Sequence, residues 1–343
     1  MPEGRHSVLK PDYLYLPGIT KIMLKYTALA LGILGAFVSM PAQASGYPDK
    51  PVKIVVGYAA GGPTDTITRI ISDALAKKWG VSIIVENKPG ATSTIATNYL
   101  ANSQPDGYTL GAIANDFIAS RFVYPDLKYD PEKDITPIGM MAITPNVLVV
   151  PKSSGYTTYR DFARDLAKSA GSWSYSSTGV ASTSHLAAEK FKVLTGLDAS
   201  HIPYKGFAPS LPDLMTGRIN FAIPSLSSVR THIEAGNLVP LAVIGKNRTG
   251  FLPDTPTFEE EGVKDFSLQT WYALAGPSGI PQDILEKINH DLNDVLKDGE
   301  VVEKLRNQGA EIEPMSIAQI TGYIEKDLAT TSELLKGLNI ENK

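Results

Sequence analysis

The chain has 343 residues, a formal charge of −4 and no cysteine. That length allows two modest domains, and the missing cysteines exclude disulfides, thiolate metal sites and a lipidated cysteine anchor. Five scattered histidines without HExxH-type pairing argue against a dedicated metal site, and the acidic balance argues against nucleic acid as a partner.

Lys21 and Lys25 precede an apolar run from about Tyr26 to Met40, followed by Ala42-Gln43-Ala44. A charged start, a short apolar core and a small-x-small end form a cleavable secretory signal. Residues 1–44 are therefore expected to be a signal peptide with an N-terminal extension. Met23 is an alternative start, and the mature chain is expected to begin near Ser45 in the periplasm. The run is short for a membrane span.

From Tyr47 the pattern alternates. Strands are expected at 52–57, 81–85, 108–114, 146–150, 173–176, 200–203, 219–223 and 239–244. Helices are expected at 63–78, 94–102, 157–169, 184–194, 209–216 and 227–235. Such alternation predicts α/β architecture with mostly parallel sheets. After Asp265 come a strand over Thr270–Ala275 and three helices: Gln282 to Lys297, Glu300 to about Gly309, and Ser316 to Leu335. The runs Asn146–Val150 and Thr270–Ala275 are expected to cross between two domains. Domain one is then discontinuous, 45–148 plus 268–343, with domain two at 149–267. Two crossing strands make a hinge, as in clamshell binding proteins.

The stretch Val52 to Leu75 reads as a buried strand, a Gly61-Gly62-Pro63 turn and an amphipathic helix, with Pro63 suited to the first helical position. Its free N–H groups suit a small anion. The spacing is neither a P-loop nor a dinucleotide fingerprint. Asp65 either competes with a ligand anion for those amides or caps the helix and leaves the Gly61 and Gly62 amides open.

Ligands of parallel α/β sheets bind beyond the carboxyl ends of strands. Those ends here carry Tyr58, Gly61, Gly62, Thr64 and Asp65, then Asn115, then Ser177, Thr178, Ser182, Thr183 and Ser184, then Phe207, then Ser225. Hydroxyls and amides converging from two domains suit a carboxylate held by neutral donors. No acid–base pair, metal set or cofactor motif is evident. Ser184-His185 lacks a Gly-x-Ser-x-Gly elbow and does not read as a nucleophile–base relay. His185 is expected to be packed or capping, while His201 and His232 have no evident partners. Lys205 is open between ligand contact and solvent, and Trp271 and Phe207 between pocket and core.

Taken in order, Tyr47-Pro48, Gly61-Gly62-Pro63-Thr64-Asp65, Val85-Glu86-Asn87-Lys88-Pro89-Gly90-Ala91, Pro105-Asp106-Gly107-Tyr108-Thr109-Leu110 and Pro145-Asn146-Val147-Leu148-Val149-Val150 form a pattern. Ser182-Thr183-Ser184-His185-Leu186, Pro203-Tyr204-Lys205-Gly206 and Leu252-Pro253-Asp254-Thr255-Pro256-Thr257 complete it. With the leader, the chain resembles the substrate-binding receptors of tripartite tricarboxylate transporters, the Bug-type (TctC-like) family. The resemblance implies a two-domain, type II-like periplasmic clamshell. It would bind a small carboxylate in an interdomain cleft, deliver it to inner-membrane transporter subunits, need no cofactor, catalyse nothing and act as a monomer. It maps the family's binding loops onto Tyr58–Asp65 and Ser177–Ser184, with contacts near Asn115, Phe207 and Ser225.

Three departures stand out. The first loop reads Tyr58-Ala59-Ala60 where Phe and Pro-Pro are common. Thr92-Ser93 replace a glycine pair. Pro224-Ser225 stand where many members have Asp-Asn. Losing that Asp points away from an amino-acid ligand and towards a plain mono- or dicarboxylate, while Phe117 and Phe207 allow an aromatic acid. A ligand-binding envelope sensor subunit of a two-component system fits the same residues. A secreted α/β hydrolase fits them less well.

Overall fold

The computed structural model describes residues 46–124, 126–166 and 173–337. The expected leader and the mature start lie outside them. The chain divides into two units, Met1–Tyr47 and Pro48–Lys343, and everything below concerns the second.

Among the described residues there are ten strands: β1 (Val52–Val56), β2 (Ile83–Asn87), β3 (Thr109–Ala114), β4 (Ile135–Thr144), β5 (Val147–Pro151), β6 (Trp173–Ser177), β7 (Ala199–Pro203), β8 (Phe221–Ala222), β9 (Leu238–Val243) and β10 (Thr270–Pro277). They form two five-stranded sheets, ordered β2-β1-β3-β10-β4 and β7-β6-β8-β5-β9. The architecture is α/β, as expected, but the sheets are mixed rather than mostly parallel. In the first, β1 runs parallel to β2 and β3, while β10 is antiparallel to β3 and β4. In the second, β6 is parallel to β7 and β8, while β5 is antiparallel to β8 and β9. The antiparallel strands are those at which the chain passes from one sheet to the other.

Two elements escaped the sequence reading. Strand β4 carries Pro137 and Gly139, which normally argue against a strand. It lies at the sheet edge, where a missing N–H is tolerated, and Gly139 admits Leu292, whose Cδ2 would lie 2.7 Å from an added Cβ. Helix α3 (Asp116–Val123) follows β3 with only Asn115 between, so its apolar residues read as part of the strand end.

The other helices of the first half are α1 (Pro63–Trp79), α2 (Thr94–Ala101), α4 (Tyr159–Leu166), α5 (Thr183–Thr195), α6 (Leu211–Met215) and α7 (Leu226–Glu234). In α1, Ile67, Ile71 and Leu75 recur every fourth residue and are fully buried, and Gly80 ends the helix at φ 70°. The C-terminal helices are α8 (Gln282–Val295), α9 (Gly299–Asn307) and α10 (Ile317–Gly337). Ile320 and Ile324 of α10 join the core of the first sheet with Ile113, Met140 and Trp271. Leu335, near its end, joins the aromatic core of the second with Phe162, Tyr175, Phe191 and Phe221. No helix among the described residues is long and apolar enough to cross a membrane.

The chain leaves the first sheet at Thr144 and enters the second at Val147; it returns at Thr270. Asn146 ties the two crossings. Its Nδ2 donates to the Leu268 carbonyl at 3.2 Å, and its Oδ1 accepts from the Thr270 hydroxyl at 2.8 Å. It is fully buried, so these bonds replace water at a point where the backbone belongs to neither sheet.

Candidate functional site

The loop from β1 into α1 is organised by Asp65, which is 2% exposed. One carboxylate oxygen accepts from the Gly61 amide and from Arg69 Nε, both at 2.9 Å; the other accepts from Asn87 Nδ2 at 2.8 Å. Burial works to raise this carboxyl, but the bonds from Arg69, Gly61 and Asn87 outweigh it and hold it below the usual range. Of the two roles open in the sequence, the structure has Asp65 engaging the Gly61 amide itself. The Gly62 amide donates to the Ala59 carbonyl at 3.3 Å. The amides that helix geometry leaves without an intrahelical acceptor are those of Thr64 and Asp65, behind Pro63. They and the helix dipole are what this corner offers an anion.

Asn87 Nδ2 also donates to the Tyr58 carbonyl at 3.0 Å. The Tyr58 hydroxyl donates to Asp116, the first residue of α3. Next to it, Asn115 is committed to structure. Its Nδ2 donates to the Gln269 carbonyl at 2.9 Å and to Asp327 at 3.2 Å, and its Oδ1 accepts the Trp271 amide at 2.8 Å. Trp271 is core, fully buried, with Nε1 donating to Asp327 at 2.8 Å.

The second corner runs from β6 into α5. Ser182 caps the helix, its hydroxyl accepting the His185 amide. The hydroxyls of Ser182 and Ser184 lie 3.0 Å apart, Ser182 donates to the Gly179 carbonyl at 2.7 Å, and the Thr178 amide donates to Ser184 Oγ at 3.0 Å. Thr183 begins α5. The structure thus gathers Ser177, Thr178, Ser182 and Ser184 into one hydrogen-bonded loop at the carboxyl end of β6.

Two imidazoles hold that loop. His185 Nδ1 accepts the amide of Ala181, which sits at φ 58°. His201, which had no evident partner in the sequence, meets the Ser177 hydroxyl through Nε2 at 2.6 Å. The two rings stack with centroids 3.9 Å apart, and Tyr175 stacks on His201. Burial, with a smaller contribution from the neighbouring imidazole, pushes His185 down to about 3; burial pushes His201 down to about 4. Both are therefore neutral near pH 7, and a neutral Nδ1 is what the Ala181 bond requires. The partner of His201 lies on a neighbouring strand, so sequence spacing carries no signal of it.

At the start of α7, Ser225 Oγ lies 3.0 Å from Ser227 Oγ and 2.9 Å from Ser228 Oγ, and Ser227 Oγ lies 3.3 Å from the Tyr272 hydroxyl. Both aromatic candidates are buried. Phe207 is 7% exposed and packs with Val147, Val149 and Leu214, while Phe117 is 2% exposed beside Ile113 and Trp271. Both rings are therefore packed among apolar side chains. Two surface cavities of about 540 and 520 Å³ lie away from both corners, beside Arg121 and Tyr129 and beside Arg160 and Glu261. On α8, the ligand atoms of His290, Asp291 and Asp294 lie within 4.8 Å of one another, but Lys78, Lys287 and Lys297 already neutralise the two aspartates.

Comparison with known proteins places the chain in a family. Residues 67–340 match the family described as the tripartite tricarboxylate transporter family receptor. An R. palustris protein solved with adipate superposes with a TM-score of 0.82 at 32% identity, over 87% of this chain and 100% of that one. The periplasmic binding protein BugD superposes at 0.79 and 29% identity, over 87% and 100%. MatC from Rhodopseudomonas palustris, solved with bound malate, superposes at 0.77 and 26% identity, over 84% and 100%. The chain belongs to the receptor family of the tripartite tricarboxylate transporters, the TctC/Bug-type periplasmic solute-binding proteins.

Proposed function

We propose that this receptor binds a small carboxylate between its two strand–loop–helix corners, Tyr58–Asp65 and Ser177–Ser184, and delivers it to inner-membrane subunits of a tripartite transporter. The observation that carries this reading is the pairing of corners. Each sheet ends a parallel strand in a hydrogen-bonded loop that opens a helix, with hydroxyls and first-turn amides as donors. Neutral donors hold a carboxylate without the desolvation penalty of a buried lysine or arginine. The ligands seen in the adipate and malate complexes belong to that chemical class.

In this reading the lobes are residues 45–148 plus 268–343 and residues 149–267. The crossings at Thr144–Val147 and Leu268–Thr270 act as the hinge. The leader is removed on export, and the receptor works as a monomer that binds without turnover. Thermal-shift measurement of the purified protein against a panel of aliphatic, aromatic, amino and tricarboxylic acids tests it. One chemical class should raise the melting temperature in a concentration-dependent way, because ligand at a hundred times its Kd stabilises the folded state by about 2.7 kcal/mol. A folded protein that responds to no acid, and that mass spectrometry shows to carry no bound molecule, would overturn the reading.

A further inference from the structure

We propose that Asp116 sets the ligand specificity of this cleft: it reserves the region beside Tyr58 and Tyr272 for a hydrogen-bond donor, so the bound carboxylate ends there in a hydroxyl or ammonium group and not in a second anion. This rests on the receptor reading above.

Asp116 stands at the carboxyl end of β3, opens α3 and is 6% exposed. Its side chain accepts from the Tyr58 hydroxyl, and the amides of Phe117 and of Asp116 itself also bond it. The other titratable groups that face it are the phenols of Tyr272 on β10 and Tyr129 in the turn after α3. Among the described residues no lysine or arginine acts on it. Asp65 differs, because it is also shielded from water but meets Arg69. A buried carboxylate without a cation is costly and persists where it has work to do.

The surroundings place that work at the cleft. Tyr58 belongs to the first corner. Tyr272 reaches Ser227 at the start of α7, on the second sheet's side. Two further buried hydroxyls, Ser93 beside Tyr58 and Thr144 beside Tyr272, make no hydrogen bond of good geometry. Two hydroxyls outside that network, and a carboxylate whose bonds all come from neutral donors, suit a polar, uncharged or cationic ligand end. A second anion arriving here would meet the Asp116 carboxylate in a low-dielectric setting and be repelled. In this proposal Asp116 supplies, from the first sheet, a carboxylate like the one that Pro224-Ser225 removes from the second, and within the mono- or dicarboxylates expected from the sequence it favours a monocarboxylate with a donor at its far end. Burial pushes Asp116 up to about 6 against the opposing bonds from Tyr58 and Phe117, so it is ionised at pH 8 and protonated at pH 5.

Calorimetric titration of the purified protein with matched acids of three to eight carbons, ending in hydroxyl, ammonium or a second carboxylate, tests this. At pH 8 the wild type should prefer a donor-ended acid over the dianion of equal length by at least tenfold. Asp116→Asn, which keeps the shape and removes the charge, should shrink that preference at least tenfold. A wild type that prefers the dianion, or an unchanged preference in Asp116→Asn, overturns the proposal. Should Asp116→Asn not fold, the wild type at pH 5 and pH 8 provides the second arm. An acid with a sulfonate tail, ionised throughout, should gain at least tenfold on the hydroxy acid at pH 5, and a constant ratio overturns the proposal. Failure of the wild type to bind any acid overturns the receptor reading itself, and the specificity of Asp116 with it.

Discussion

Three consecutive residues between β2 and α2 hold positive φ although none is glycine: Ala91 at 45°, Thr92 at 52° and Ser93 at 65°. For an L-residue this region costs roughly 1–2 kcal/mol through the approach of Cβ to the backbone. The resemblance puts glycines at 92 and 93, so this chain carries side chains where the backbone favours none. Thr92 gains a bond in return, its hydroxyl 3.1 Å from that of Tyr124. Ala91 is exposed and gains nothing. Ala91→Gly should therefore stabilise the protein by about 1 kcal/mol, read as a higher urea midpoint at unchanged slope. The strain lies beside the first corner. Gly57, which follows β1, is glycine because a Cβ there would come within 2.4 Å of Ser93 Cβ and 2.9 Å of Ser93 Cα. The turn is thus pressed against the end of the strand that leads into the Tyr58–Asp65 loop.

At the scale of the element, the β6–α5 corner depends on neutral imidazoles. Native His185 and His201 titrate near 3 and 4, whereas a histidine in the unfolded chain titrates near 6.5. A depressed native value means the unfolded state binds the proton first. The stability is fully present above about pH 6.5 and is lost as the pH falls towards 4 and then 3, by at most about 1.4 kcal/mol per pH unit for each ring. Asp116 acts in the opposite sense between about pH 4 and 6, since its native value is raised, while carboxylates held low, such as Asp65, add to the loss on the acid side; the imidazole part is read as the difference between wild type and a variant. His185→Gln keeps an acceptor for the Ala181 amide and cannot titrate. It should fold, keep the corner and flatten the acid limb of a stability-versus-pH curve. An acid limb as steep as the wild type's would show that His185 is not its source. The sequence showed Ser182 as a ligand candidate at a helix start and His185 as a packed or capping residue. The stack with His201 needed β7 laid beside β6, a pairing no local pattern encodes.

For the whole molecule, the two passages between sheets decide how the corners face. Asn146 bonds Leu268 and Thr270 from one passage to the other, and Asn115 with Asp327 fastens the return strand to α10. Asn146→Ala would strand the Leu268 carbonyl and the Thr270 hydroxyl in a buried place. It should cost about 2 kcal/mol, measured by urea unfolding, with a larger loss of ligand affinity than its distance from the corners implies. Equal affinity and stability would show the tie to be dispensable.

The chain by itself determined the strand–turn–helix corners, because apolar periodicity, Gly61-Gly62-Pro63 and the hydroxyls that open the helix after Ser177 are local signals whose physics operates within one turn or one strand. It also determined the α/β class and the Thr270 crossing strand, which short apolar runs and flanking proline mark. It did not determine the antiparallel pairing of β10, the edge strand β4 or the burial of Phe117 and Phe207. Strand direction and the face a ring turns inward depend on partners a hundred or more residues away. Only the tertiary structure brought Asp116 under Tyr58 and Tyr272, His201 against Ser177, and Asp65 onto the very amide that the sequence had left open for a ligand. The contacts of Asp116 and His201 join separate elements, and their energy lies in burial and hydrogen bonding that exist only once the sheets have formed; the Asp65–Gly61 bond spans four residues, but Asn87 of β2 fixes that carboxylate from outside the loop.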